Sequence, residues 1–400
     1  MSLGHGAGVV RNGLVFYYDM SNPRKSWKGA PTTNLNTGQG LNGMSGISLS
    51  FIGLENGWKK YSISGTWNSG TYPFSMNISA TTLSGGVAYS AQSKIKTNVI
   101  SKFLTFGGLS YVNDGNMVSN GTSTVTSLGR DTDGLEIVFS KREGFIYSVG
   151  FANPTTNQTG YINSRPTANG VVFNSSTDFV WIKDVQVEQG TFCTPYVNTS
   201  RSNTQALLDL TNNNTITATS LTYSSDGSFT FNGSSNSLSV NPSMMPSNSS
   251  FTFNCWVNIN AVSASSVIEA KNSSGGRTIN VHLPWSDNNV FFDGGAVTTT
   301  YDRIIYATTA NDRTGWHYWS FVKDLSNSTM RIHLDGVQVA SEGSKSLSPA
   351  ASTSLNIGSY TGGGTNFFNG RLSSVSMYNR ALTATEVSQN FQALRGRYGI

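Results

Sequence analysis

Few side chains in this sequence could do chemistry. There are seven glutamates, at 55, 136, 143, 188, 269, 342 and 386, and four histidines, at 5, 282, 317 and 333. A retaining glycoside hydrolase needs two carboxyls about 5–5.5 Å apart. The nearest clusters are Asp131-x-Asp133-x-x-Glu136 and Asp287 with Asp293. The first lies in Arg-Asp-Thr-Asp-Gly, a run of turn residues that reads as a solvated loop. No two histidines have helical ligand spacing, and Cys193 and Cys255 cannot make a zinc set. A Gly-x-Ser-x-Gly elbow is absent, and Gly362-Gly363-Gly364 lacks the lysine of a phosphate loop. The expectation is a protein that is not an enzyme.

Sugar binding asks for other residues: an aromatic platform for the apolar face of a pyranose, with amides and carboxylates for its hydroxyls. Trp58, Trp67 and Tyr72 lie in Gly/Asn/Ser-rich text, ENGWKKY and GTWNSGTY. The same rings would equally fill a β-sandwich core. The richest polar-aromatic stretch is His282-Leu-Pro-Trp285-Ser-Asp287-Asn288-Asn289, followed by Phe292-Asp293-Gly294-Gly295. Trp285 is a candidate platform there, and Tyr360, ahead of the triple glycine, is another. Calcium takes six to eight oxygens. Asp287, Asn289 and Asp293 could supply some, which makes calcium the one cofactor to look for. Asp-Asn-Asn reads equally well as a turn. His317 and His333 fall mid-strand and read as structural.

What must position these residues follows from composition. The 400 residues are 37% hydrophobic and only 12% charged, with 42 Gly, 8 Trp, 16 Tyr and 21 Phe. Disordered chains are charged and poor in aromatics, so this chain folds, with an uncharged polar surface. Its length suits two or three domains. The net charge of +5 is scattered, with only Lys59-Lys60 and Lys141-Arg142 as pairs, so nucleic acid is not an expected partner. No run is apolar enough for membrane insertion, and MSLGHGAGVVRNG does not read as a signal peptide. Two cysteines make no disulfide framework; both read as buried thiols.

Strands dominate. A short apolar strand is expected at 13–19, and others at 61–67, 102–108, 134–140, 144–151 and 179–187, with turn residues every 8–15 positions. In the last of these Phe179, Trp181, Val185 and Val187 share one parity and should face the core. Further on, Phe251–Val257 alternates, and Met330–Leu334, Asp335-Gly336, Val337–Val339 has the Asp-Gly signal of a hairpin. One helix stands out: Thr383-Ala-Thr-Glu386 is a capping box, with Val387, Phe391 and Leu394 at helical spacing.

The later strands resemble the laminin-G-like, or concanavalin-like, sandwich family. The resemblance rests on Phe229–Gly233, Phe251–Val257, Trp316-His317 ahead of Ser320–Val322, Leu334-Asp335-Gly336, Asn356-Ile357-Gly358, Phe368–Leu372 and Val375–Leu382, closing on the Thr-x-x-Glu helix, and covers roughly 203–395. That superfamily's hydrolases usually carry Glu-x-Asp-x-x-Glu on one strand, a spacing missing here. In phage virion proteins the sandwich often opens with Asn-Gly-Leu-Val ending in Asp, as Asn12–Asp19 does; the turn that normally follows is found at Leu208-Asp209-Leu210-Thr211-Asn212. The intervening stretch resembles the jelly-roll carbohydrate-binding modules of phage tail and fibre proteins, through Pro31–Leu35, Val185–Gly190 and Thr194–Val197.

The resemblance implies an all-β chain of two β-sandwich (jelly-roll) domains with a short C-terminal helix. A laminin-G-like sandwich, 13–28 plus 203–400, would carry an inserted jelly roll at 29–202, after an N-terminal arm at 1–12. It also implies a virion surface protein of a tailed bacteriophage, in capsid decoration, fibre or tail. Its expected partners are host-surface or environmental glycans and, through the arm, other virion proteins. Self-association as a homo-oligomer would suit a fibre. The competing expectation is a purely structural virion component, and behind it a polysaccharide depolymerase.

Overall fold

The computed structural model describes residues 8–22, 25–36, 41–43, 46–68, 76–113, 116–119, 129–130, 136–140, 145–152, 158–189, 194–219, 221–224, 226–297, 300–361 and 365–400; within these, 42, 76–82, 100, 103–165, 219 and 296–297 are described by backbone only. The chain forms two compact units. One is Pro31–Arg201; the other joins Met1–Ala30 to Ser202–Ile400.

The first strand, β1 (Leu14–Asp19), belongs to the second of these units. In the Pro31–Arg201 unit the strands used below are β2 (Ile47–Glu55), β3 (Trp58–Thr66), β4 (Tyr89–Thr97), β5 (Phe145–Ala152) and β6 (Phe179–Gln189). They make an antiparallel sheet in the order β5, β4, β6, β3, β2, with short strands at both flanks. A five-stranded sheet around Gln158–Pro166 is the second. Ile63, Trp67, Tyr89, Ile95, Val180, Ile182, Val185 and Val187 form the core.

The parity expected for β6 is corrected here. A bulge between Lys183 and Gln186, with Asp184 at φ +53°, adds a residue and reverses the alternation. Val180 and Ile182 precede it in the core, and Val185 and Val187 follow it there. Phe179 and Trp181 therefore point the other way, out of the sheet.

In the other unit the chain continues with β7 (Ile216–Thr219), β8 (Ser228–Asn232), β9 (Ser237–Val240), β10 (Phe251–Ile259), β11 (Ile268–Asn272), β12 (Arg277–His282), β13 (Asn289–Val297), β14 (Thr300–Ala307), β15 (Trp316–Asp324), β16 (Thr329–Leu334), β17 (Val337–Glu342), β18 (Ser352–Ile357) and β19 (Asn369–Tyr378), and ends with helix α1 (Ala384–Leu394). An eight-stranded sheet runs Thr222–Ser224, β8, β19, β10, β15, β16, β17, with β1 also on β19. β8 covers Asn369–Leu372 and β1 covers Ser374–Tyr378, so the opening strand completes an edge that β8 leaves bare. The turn at 208–212 sits beside it: the Asp209 carboxylate accepts the Tyr17 amide at 2.9 Å. The seven-stranded sheet runs β7, β9, β18, β11, β12, β13, β14.

Alternate residues of both sheets interleave in one core. Phe253, Phe321 and Ile332 come from one side, and Ile268, Ile279, Val281, Phe292 and Ile357 from the other. The phenyl rings of Phe292 and Phe321 lie 5.5 Å apart. Asp335 and Gly336, at φ +50° and +80°, close the β16–β17 hairpin as its sequence implies.

The far face of the eight-stranded sheet is covered by α1. Its capping box forms: the Thr383 amide donates to Glu386 Oε2 at 3.0 Å, and the Glu386 amide to Thr383 Oγ1 at 3.3 Å. Val387, Phe391 and Leu394 pack on Trp256 and Tyr318. From Gly8 onward the segment expected as an N-terminal arm at 1–12 lies against the helix. The Val10 amide donates to Asn390 Oδ1 at 2.7 Å, and the Tyr378 hydroxyl donates to the Val10 carbonyl at 2.8 Å. Apolar Val10 is buried with the helix, which is why the segment docks. Residues 1–7 lie outside the described residues.

Candidate functional site

With one sheet sealed by the helix, the outward face of the seven-stranded sheet is where a site can be built. Each strand turns one residue set to the core and the alternate set outward. Strand register places seven outward residues in one row: Thr217, Ser239, Asn356, Glu269, Asn280, Asp293 and Arg303. The row crosses the whole sheet and is polar throughout. Lys271 and Arg277 flank it on one side, and His282 and Phe291 on the other.

The charges in this row hold one another. Asp293, fully buried, accepts Arg277 Nη1 at 2.9 Å, Arg303 Nη2 at 2.8 Å and Arg303 Nε at 2.5 Å. These bonds hold the Arg303 guanidinium above its ordinary pKa, against the opposing effect of burial. Arg277 also donates to the Tyr360 hydroxyl at 3.1 Å. Glu269, also fully buried, accepts the Thr361 amide at 2.8 Å and the Thr361 hydroxyl at 3.0 Å on Oε2, which also forms an ion pair with Lys271 Nζ at 3.2 Å. Glu269 thus anchors the loop that carries Tyr360. Its Oε1 has no hydrogen bond and faces Arg277 Nε at 3.8 Å.

The aromatic part centres on His282. This ring is 4.3 Å from Trp285, 5.9 Å from Tyr360 and 6.1 Å from Phe291. Its Nδ1 donates to the Ser265 carbonyl at 2.7 Å, and Nε2 accepts from Asn280 Nδ2 at 3.0 Å. That is the neutral tautomer. Burial pushes its pKa down to about 4, outweighing the Ser265 carbonyl and Asp293. Tyr360 is pushed up, first by burial, with Arg277 opposing and Glu269 adding to the rise. Trp285 and Tyr360 are both half-buried. The face therefore offers two partly open rings over a fixed set of amide, carboxylate and guanidinium groups.

The residues singled out in the sequence separate sharply. Trp285 and Tyr360 meet around His282. Trp67 does not join them: it is 2% exposed and packs in the core of the Pro31–Arg201 unit, so no ring face is open to a ligand. Trp58 is 9% exposed, with Lys96 Nζ 4.8 Å over its ring. Tyr72 lies outside the described residues. The calcium set does not assemble. Asp287 Oδ1 accepts the Asn289 amide at 3.0 Å, the work of a turn residue. Asp293 is taken up by two arginines and stands four strand positions from Asn289, roughly 13 Å at about 3.3 Å per residue. Among the described residues no cluster of three or more acidic, His or Cys side chains could hold a metal ion. Cys255 is a buried free thiol, pushed well above its ordinary pKa by burial; Cys193 and the Asp131–Asp133 run lie outside the described residues.

Glu269, Lys271, Arg277, Asn280, Phe291 and Arg303 escaped the sequence reading. Each strand contributes only one or two of them. The available signal was a polar residue alternating with core residues on consecutive strands, as in Ile268-Glu269-Ala270, Ile279-Asn280-Val281 and Phe292-Asp293.

Residues 231–388 match the concanavalin A-like lectin/glucanases superfamily, a span that includes Glu269, Asn280, His282, Trp285, Asp293, Arg303, Asn356 and Tyr360 but not β1 or β7. No curated protein matches the chain. Solved structures that resemble it include the binding domain of botulinum neurotoxin serotype D, at 12% identity and TM-score 0.39, covering 48% of this chain and 49% of that one. Another is a botulinum neurotoxin type C structure whose cell entry depends on two ganglioside molecules, at 15% identity and TM-score 0.39, covering 48% and 50%. A third is the binding domain of botulinum neurotoxin DC in complex with rat synaptotagmin II, at 16% and TM-score 0.38, again covering 48% and 50%. The chain spans about half the length of these structures.

Proposed function

We propose that this chain is a non-catalytic glycan-binding protein whose site is the outward face of the seven-stranded sheet. The observation that carries this reading is the meeting of Trp285 and Tyr360 around His282, beside the row Asn356, Glu269, Asn280, Asp293, Arg303. Rings supply the apolar platform. Asn356 and the Arg303 guanidinium, both partly exposed, supply directional hydrogen-bonding groups already held in place, while buried Asn280 fixes His282 behind them, which lowers the ordering cost of binding. The match of residues 231–388 to a lectin and glucanase superfamily agrees with it.

Binding without turnover is favoured by the same geometry. Glu269 and Asp293 are two strands apart, about 10 Å between backbones at about 4.8 Å per strand. Both are fully buried, and Asp293 is neutralised by two arginines. Neither is free to protonate a leaving group or attack a sugar carbon.

The setting we propose is the surface of a tailed-phage particle, where many copies would turn weak sugar contacts into retention by avidity. This rests on the resemblances at Asn12–Asp19 and Val185–Val197. Gold-labelled antibody to the chain, bound to intact particles, is the expected outcome. Affinity electrophoresis through gels holding bacterial envelope polysaccharides, stained afterwards for sugar, tests the activity. Slowed migration with an intact stain supports the reading. Unchanged migration in every gel favours a structural role, and a cleared zone would make the protein a depolymerase.

A further inference from the structure

The Pro31–Arg201 unit has a face of its own that the sheet-face site does not use. Because the bulge turns Phe179 and Trp181 outward, the register sets Trp181 between Lys60 on β3 and Lys96 on β4. Two residues along β6, Lys183 pairs with Lys94 of β4. The lysines sit over the rings. Lys60 Nζ is 4.6 Å from the Phe179 ring centre and 5.1 Å from that of Trp181. Lys96 Nζ is 4.8 Å from Trp58 and 5.3 Å from Trp181. Such ammonium-over-ring contacts hold flexible side chains in place.

Among the described residues, four lysines share this face with two carboxylates. Glu55 pairs with Lys60 at 3.0 Å and Asp184 with Lys94 at 2.6 Å. Among the described residues Lys96 and Lys183 have no carboxylate within ion-pair distance. The described side chains of this face therefore carry an excess of positive charge on a sheet, with Lys60 and Lys96 about 10 Å apart at the backbone. Its rings are covered by the lysines. A single-stranded nucleic acid binds by stacking bases on open rings along a groove, and this face presents ammonium groups instead.

We propose that this face binds an acidic polysaccharide, with Lys96 and Lys183 as the principal contacts to its sugar carboxylates. The idea is independent of the Trp285 site, and so is its test. The full chain is run through affinity gels containing polygalacturonate or the same polymer methyl-esterified. Retention by the acid form and not by the ester is expected, fading between about 20 and 200 mM salt as the screening length shortens about threefold. Lys96→Gln with Lys183→Gln should weaken retention about tenfold, two exposed ion contacts' worth. Lys96→Arg with Lys183→Arg should keep it, and Trp285→Ala should leave it unchanged. Equal retention by acid and ester, no loss in the glutamine variant, or tighter binding of a single-stranded oligonucleotide than of polygalacturonate would overturn the proposal.

Discussion

Replacing Asp293 by alanine tests whether the polar row is held together by charge. In the native fold this carboxylate accepts three hydrogen bonds from Arg277 and Arg303. Breaking a buried ion pair by removing one partner costs about 3–5 kcal/mol, because the other charge is left uncompensated. Here the two arginine side chains are 24% and 31% exposed and can turn partly to water. The cost falls to about 2–3 kcal/mol on that account. Asp293→Asn keeps an acceptor but loses the charge, so it should cost about 1–2 kcal/mol. Hydrogen exchange read by mass spectrometry resolves one unit from the other. For Asp293→Ala, amides of β12, β13 and β14 that exchange by unfolding should speed up about 30–150-fold, while those of Val180–Val187 stay unchanged. Unchanged exchange across β12–β14, or an asparagine variant as damaged as the alanine one, would refute the reasoning.

Four other outcomes follow. Gly358→Ala should displace the Tyr360 loop and weaken glycan retention: Gly358 sits at φ +86° and a Cβ there would clash with the Phe231 ring, visible as a lowered melting temperature. Trp67→Ala should cost about 3–5 kcal/mol in urea unfolding, as for any buried tryptophan, and leave glycan affinity alone. Glu386→Ala should cost about 1–2 kcal/mol by removing half the capping box and the two Arg380 contacts at 2.8 and 2.7 Å, read as faster exchange in α1. Stability should also fall as pH drops from about 6.5 to 5. Burial holds His282 and His333 down to about 4, with the charge of Arg331 adding to the effect on His333. The unfolded chain therefore takes up these protons first, at up to about 2 kcal/mol per histidine over that window. His317 runs the other way. Burial opposes its charge, but the 2.8 Å bond to Asp335 wins and raises its pKa, so its contribution is full below about 6.5 and fades as pH rises through the folded value. A denaturation midpoint flat between pH 7 and 5 would refute the balance.

Local chemistry was the most legible part of the sequence. Thr383 and Glu386 announce the helix start because a capping box is satisfied within four residues. Asp335-Gly336 announces a hairpin because both residues tolerate the left-handed backbone that the turn needs. Trp285 and Tyr360 stood out as rings in polar loops, and both reach the site. What stayed hidden depends on register. Glu269, Asn280, Asp293 and Arg303 fall in one row only once β11 to β14 are paired. Trp67 and Trp181 exchanged the roles their surroundings suggested. Trp67, in a glycine-rich stretch, fills a core. Trp181, in an apolar run, is turned outward by a single bulge residue that alternation alone cannot announce.

The central claim, that the outward face of the seven-stranded sheet binds sugar through Trp285 and Tyr360, meets its most direct test on a glycan array. The labelled full chain would be compared with Trp285→Ala and Trp67→Phe. The account predicts a defined set of bound glycans, lost about tenfold or more in Trp285→Ala, since a stacked ring is worth about 1.5 kcal/mol or more, and kept in Trp67→Phe. Binding that survives Trp285→Ala undiminished, or an array with no bound glycan, would contradict it.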